Sequence, residues 1–396
     1  MSVGSPFHPR TAPLNRKMQW REWSGYFASS VYADFHDIEY NAIREAAALI
    51  DVSPLYKYLV SGRDATRLVD RVITRDATKL TVGGVYYTPW CDENGKVVDD
   101  GTIHRLDEQR YRWTAADPQL RWLRQNSAGL DVSIDDETES TAALALQGPL
   151  SRGVLEAATG ESFADLRYFR RRASKVGRVA VDVSRTGYTG DLGYELWIPT
   201  GGAVKVWDAL VKAGRDFGLR PAGMVALDVV RLEAGLILLE GDYTSVRHAI
   251  NPEQHYSPFE IGLGRLVSFD KGAFVGRLAL EREARAGGPA RRLVGLRLDW
   301  DDIEGLYSAR GLPPAISPTV DRSPVPVFAG SRQVGRATSL GWSPILKQAI
   351  ALASVPPQYE AVDTRLAVEW TVEGRRGQVG ARVVGLPFLD LPRRRA

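Results

Sequence analysis

The chain has 396 residues, 44% of them hydrophobic and 25% charged, the composition of an ordinary globular protein with material for two or three domains. A formal net charge of +3 gives no argument for nucleic acid or a membrane surface, and no apolar run reaches membrane-spanning length. The single cysteine, Cys91, excludes an internal disulfide and a multi-cysteine metal site, and the five histidines have no paired ligand spacing, so a cytoplasmic protein without a metal is expected.

Residues 1–20, with Pro6, Pro9 and Pro13 spaced through them, read as a loose N-terminal arm. From Ile38 to Ile50, Ile43, Ala46, Ala47 and Ile50 recur at helical spacing, and Asp51-Val52-Ser53-Pro54 closes the segment. Tyr56 to Val60 reads as a strand, and the next helix carries Leu68, Val69, Val72 and Ile73 on one side. Tyr86 to Cys91 and Lys96 to Ile103 read as strands joined by the turn signal Asn94-Gly95. Alternation sends Asp99 and Asp100 to opposite faces, and on spacing alone both read as solvated carboxylates at a strand end.

Ala143 to Gln147 is a strand stopped by Gly148-Pro149, with a helix from Leu150 to Ala157. The most informative stretch is Ser184 to Leu196, where Gly187, Gly190 and Gly193 fall between two strand-like runs, Val179 to Val183 and Tyr194 to Ile198. A long glycine turn carrying Tyr188 and Glu195 could wall a flat polar ligand; from its residues alone, it is first a hairpin with a generous loop. A helix from Ala203 to Phe217 follows, then an apolar segment from Val225 to Leu236 in which Arg231 and Asp228 could pair with each other. After the polar loop Thr244 to Tyr256 comes a linker at Ala284 to Ala290, then short strands at Arg292 to Leu298, Val325 to Val327 and Ala349 to Ala353.

Several of these blocks, in order, resemble the aminomethyltransferase (glycine-cleavage T-protein) family. They are Asp51-Val52-Ser53, the two aliphatics before Asp99-Asp100, and Gln147-Gly148-Pro149. The series continues with Ser184-Arg185-Thr186-Gly187-Tyr188-Thr189-Gly190 followed by Gly193-Tyr194-Glu195, and with Asp228-x-x-Arg231-Leu232-Glu233-Ala234. Further on come Pro258-Phe259-Glu260-Ile261-Gly262-Leu263, Trp342-Ser343-Pro344 and Leu386-Pro387-Phe388, so the resemblance covers nearly the whole chain. It implies an α+β T-protein-like folate-binding fold over residues 21–285, followed by a C-terminal β-barrel domain over residues 291–396.

The resemblance also implies tetrahydrofolate as cofactor and a one-carbon transfer to its N5. Asp100 falls on the family's catalytic aspartate, Glu195 on the carboxylate that accepts the pterin's two parallel N–H donors, and Tyr87 on a ligand-lining tyrosine. Tyr188 would add a flat wall with a polar tip, while Arg231 and Arg395 are cations for the anionic folate tail. The partner is a small methylated or aminomethyl donor, and Pro54 (in place of a histidine), Leu227 (in place of an arginine) and the 244–256 loop lean towards a demethylase-type member. The alternatives are the aminomethyltransferase of a glycine-cleavage system, with its lipoyl carrier protein, and a non-catalytic folate-binding protein of iron–sulfur assembly. The second lacks support, because Lys271-Gly272-Ala273-Phe274-Val275-Gly276 has no cysteine.

Overall fold

The computed structural model describes residues 1–395. Two compact units divide them: Met1–Trp90, Asp99–Leu227 and the residues from Leu391 on form the first, and Cys91–Val98 with Asp228–Asp390 form the second. The boundary drawn from sequence lies at residues 285–291, where the barrel strands begin, whereas these compact units divide at Leu227. Residues 228–285 go with the barrel strands because their polar side chains bond there. Asp242 accepts from Thr338 and Ser339 at 2.7 Å each, and Arg291 holds Glu260 at 3.0 Å.

The first unit holds two larger sheets. One has six strands in the order Arg171–Val176, Val179–Ser184, Gly193–Pro199, Thr141–Gln147, Ala48–Asp51 and Arg220–Pro221. The other has five, in the order Val85–Cys91, Val97–Asp107, Arg110–Ala115, Tyr56–Ser61 and Ser133–Asp136. Beneath the six-stranded sheet, the helix Ala203–Ala213 buries Ala203, Val206, Trp207 and Leu210, one stripe at helical spacing, against Leu144, Leu146, Leu196 and Ile198.

Two expectations fail in this unit. The apolar run to Ile50 is not one helix: His36–Glu45 is helical, the chain turns at Ala46, and Ala48–Asp51 is a strand bonded on both sides. A short apolar run buried on both faces lacks the periodicity that separates helix from strand. Nor is the N-terminal segment loose. Phe7 is fully buried 5.8 Å from the ring of Trp207, Arg10 pairs with Asp208 at 2.7 Å, and Val3–Gly4 joins a small sheet with Tyr26–Ser29. Pro9 sits in the first turn of the helix His8–Thr11, where a missing N–H costs nothing.

The second unit is built on a closed barrel of six strands: Arg292–Leu298, Gln348–Val355, Arg332–Ser343, Val325–Ala329, Arg365–Val372 and Arg375–Val384. The strand Arg365–Val372 alternates cleanly, with Leu366, Val368, Trp370 and Val372 turned into the barrel core. The 244–256 loop is anchored to the hairpin tip of this unit: Ser245 donates to the Val98 carbonyl at 2.6 Å, and the Val97 amide donates to Tyr256 at 2.7 Å. Among the described residues no helix is long and apolar enough to cross a membrane.

Between the helix Arg277–Arg285 and the first barrel strand, Ala286 and Gly287 are exposed, and Gly287 and Gly288 have positive φ. Arg285 beside them is 80% exposed. Trypsin at a low ratio is expected to cut first after Arg285, giving fragments that divide near this residue on mass spectrometry. Early cutting elsewhere with residues 277–292 intact would contradict an exposed connection here.

Candidate active site

The glycine turn is shaped from inside by one side chain. Gln147, fully buried at the end of its strand, accepts from the Thr189 hydroxyl at 2.8 Å and donates to the carbonyls of Thr186 and Tyr194 at 3.2 and 3.3 Å. A Cβ at Gly187 would stand 2.1 Å from the Gln147 amide oxygen, and one at Gly193 would stand 2.2 Å from it. Both glycines are therefore required by the amide that passes between them, while Gly190 is required by its φ of +69°. Arg44, buried on the helix His36–Glu45, adds a bond from its guanidinium to the Thr189 carbonyl at 2.9 Å. Tyr188 is left half-buried on the turn.

Glu195 stands on the strand that leaves this turn, opposite Ser184 in the antiparallel register. Thr186 donates to one oxygen of its carboxylate, Ser184 lies 2.8 Å from the Thr186 hydroxyl, and the Trp197 indole donates to Ser184 at 3.2 Å. Burial raises the Glu195 pKa and the Thr186 bond lowers it. Among the described residues no other group donates to the carboxylate. The other oxygen of this half-buried carboxylate is thus an acceptor open to solvent or to a ligand.

Asp99 and Asp100 point to opposite faces of their strand, as alternation requires, but the expectation of two solvated carboxylates does not hold. Asp99 is fully buried. Its carboxylate accepts the amides of Asp100, Ala116 and Asp117 at 2.7, 3.1 and 3.0 Å and the side-chain amide of Gln119 at 3.2 Å. Burial pushes this carboxyl up, the neighbouring Asp100 adds to that, and the amide donors pull the other way. Asp99 thereby ties the strand to the chain segment that follows its neighbour. Asp100 is half-buried.

Period two puts Asp100, Thr102 and His104 on one face of the strand Val97–Asp107, and Glu195 and Trp197 on one face of Gly193–Pro199. These faces look at each other, because the rings of His104 and Trp197 meet edge-on at 5.2 Å between the sheets. Arg112 from the five-stranded sheet closes the same layer on Asp182 of the other. His104 is fully buried and bonds Thr102 at 2.9 Å. Burial, with Arg112 and Arg171 near, drives its pKa well down. Asp100 and Glu195 therefore stand on facing sheets of the first unit. Tyr87, half-buried, lies on the strand next to that of Asp100.

The two arginines offered by the sequence fare differently. Arg231 is 1% exposed in the second unit, where it donates to Asp228 at 2.8 Å, Asp242 at 2.6 Å and Ser339 at 2.8 Å. Its pairing with Asp228, the other reading the spacing allowed, is the arrangement observed. A guanidinium so occupied binds its own fold together. Arg395 is exposed on a segment docked in the first unit, and its neighbour Arg393 is fixed to Asp191 by two bonds of 2.7 and 2.8 Å. Arg393 is thus fixed to the first unit, while Arg395 stays exposed. Sequence reasoning missed Gln147, Thr186 and the Asp191–Arg393 pair, whose partners lie from 9 to 202 residues away along the chain.

Two family models match the chain: the GCVT N-terminal domain over residues 9–271 and the glycine cleavage T-protein C-terminal barrel domain over residues 291–390. The chain is 40% identical over 369 residues to the aminomethyltransferase of Symbiobacterium thermophilum, with 90% of each chain covered. It is 36% identical over 377 residues to that of Moorella thermoacetica, with 94% of each covered. A trimethylamine-oxide aldolase of Ruegeria pomeroyi is 34% identical over 98% of this chain, which spans only 47% of that larger protein. In fold, the chain is similar to the crystal structure of glycine cleavage system aminomethyltransferase T from Bartonella henselae, with a TM-score of 0.82 at 23% identity, covering 98% of this chain and 99% of that one. The chain thus belongs to the glycine-cleavage T-protein (aminomethyltransferase) family of tetrahydrofolate-dependent transferases.

Proposed function

We propose that this chain binds tetrahydrofolate in the interlayer space of its first unit and transfers a one-carbon unit to it from a nitrogen-bearing donor. The observation that carries the reading is the open carboxylate oxygen of Glu195, an acceptor set beside the Thr186 bond and half out of water. A reduced pterin offers two parallel N–H donors along one edge, and a carboxylate is their natural acceptor. Tyr188 and Tyr87 would flank the ring with apolar faces and polar tips. Bound folate supplies a nucleophilic nitrogen, N5. Asp100 would steady positive charge developing at the transferred carbon and move a proton to or from the leaving amine.

The aminomethyl donor of a glycine-cleavage system is the first candidate, since the aminomethyltransferases above match along nine-tenths of both chains. A small methylated donor is the second reading, favoured by Pro54 and Leu227, where the sequence leaves the family pattern, and by the trimethylamine-oxide aldolase relative. The product separates the two. A carbon at the formaldehyde level, as in an aminomethyl group, gives 5,10-methylene-tetrahydrofolate without an oxidant, whereas an activated methyl group gives 5-methyl-tetrahydrofolate. The protein would be incubated with tetrahydrofolate and either an aminomethyl-loaded lipoyl carrier or a panel of methylated donors, and the folates separated. Neither product with any donor ends the transferase reading.

Binding has its own test. Glu195→Ala is expected to weaken tetrahydrofolate binding by about 1–3 kcal/mol in calorimetric titration, because two ligand donors lose a charged acceptor. Unchanged affinity in the folded variant removes Glu195 from the site.

A further inference from the structure

The glycine turn is gripped at both ends by one short segment. At its far end Asp191, whose side chain is 0% exposed, takes the fork of Arg393, and Arg393 also donates to the Arg44 carbonyl at 2.9 Å. At its near end Arg185 donates one guanidinium nitrogen to the carbonyls of Arg393 and Arg394, at 3.5 and 3.4 Å, and another to Leu166 at 3.1 Å. Between those ends lie Thr186, which holds Glu195, and Tyr188. Gln147 and Arg44 shape the turn from within, and the 391–395 segment closes it from without. The apolar cluster beneath the sheet includes no residue of that segment.

We propose that residues 391–395 are a clasp that sets the folate-binding turn, with Arg393 as its positioning residue. The inference rests on the reading of Glu195 and Tyr188 as folate contacts. A planar guanidinium fork on a buried carboxylate fixes direction as well as distance, which an ammonium on the same carboxylate does not. Releasing the fork frees both anchors at once, since the carbonyls that receive Arg185 belong to the same 3-10 turn, Pro392–Arg394, as the guanidinium that holds Asp191. The turn then keeps its path through Gln147 but loses the orientation of Thr186 and Tyr188. Ligand affinity falls while the rest of the first unit stays folded.

The test uses Arg393→Ala and a chain shortened to end at Asp390, read by tetrahydrofolate titration and by amide hydrogen exchange. Affinity is expected to fall at least tenfold in both, with faster exchange confined to residues 186–192. Adding the peptide Leu-Pro-Arg-Arg-Arg-Ala at millimolar concentration should restore both readouts to the shortened chain, which a general loss of stability would not allow. Should that chain fail to fold, Arg393→Lys, which keeps the charge and loses the fork, carries the same two readouts with a smaller drop. Unchanged exchange over 186–192 overturns the clasp, as does faster exchange there with unaltered folate affinity. If the unaltered protein binds no folate, the proposed function fails, and the exchange arm alone still decides whether the clasp holds the turn.

Discussion

Asp100→Asn is expected to lower turnover by roughly 10²–10⁴-fold while leaving tetrahydrofolate affinity nearly unchanged. The substitution keeps the size and hydrogen-bonding reach of the side chain and removes its charge and its capacity to take a proton. Asp100 is half-buried and shares its strand face with Thr102 and His104, whose ring meets Trp197, two residues from Glu195 on the facing strand. The mechanism requires that folate held at Glu195 bring its reacting end to this carboxylate on the facing sheet. Its work would fall in the transition state, where a cationic carbon forms and a leaving amine needs a proton, so the loss should fall on kcat and not on binding. Single-turnover rates and equilibrium titration on the same preparation separate the two. Full activity of Asp100→Asn with any donor that supports turnover would sink the mechanism and leave folate binding standing.

Its neighbour should fail in another way. From sequence, a substitution of Asp99 looks nearly silent, since the residue faces away from Asp100. The structure reverses that expectation, because Asp99 is fully buried and is the acceptor for four N–H groups. In Asp99→Asn one oxygen becomes an NH₂ that confronts donors instead of receiving them. Hydrogen bonds to a charged group give way to neutral ones, and at least one buried donor is stranded, at a cost of about 1–3 kcal/mol each. Asp99→Ala strands all four and should cost more than about 3 kcal/mol in urea unfolding, enough to leave little soluble protein. An unfolding midpoint like that of the unaltered protein would mean that these amides find other partners. The two adjacent carboxylates are thus separable: one variant is stable and slow, the other is unstable.

What was legible in the sequence was what local pattern encodes. The hairpin around Asn94-Gly95, the strands either side of the glycine turn and the helix after it follow from alternation, turn chemistry and apolar stripes, each visible within a dozen residues. The ordered motifs added the fold, including a closed barrel that no single short strand announces. What was hidden depends on partners distant in sequence. Nothing near Asp99 says that amides 17 and 18 residues away will converge on it, and nothing near Gln147 says that two glycines will part for its amide. Ala46 to Ile50 misled because a buried central strand and a helix core can share one apolar run. The opening prolines misled because they also suit the first turn of a short helix.

The passage of Gln147 between Gly187 and Gly193 binds the history of three separate places in the chain. The space that a side chain would need at either glycine is already filled by the amide of a residue 40 or more positions earlier. A change at one of the three is paid in collision or in stranded carbonyls unless another changes with it, so the loop's path is hard to redraw by single steps. Divergence in what the site accepts has then to come from groups that hang outside the lock. Tyr188, half-buried on the turn, is one such group that the Gln147 amide does not fix.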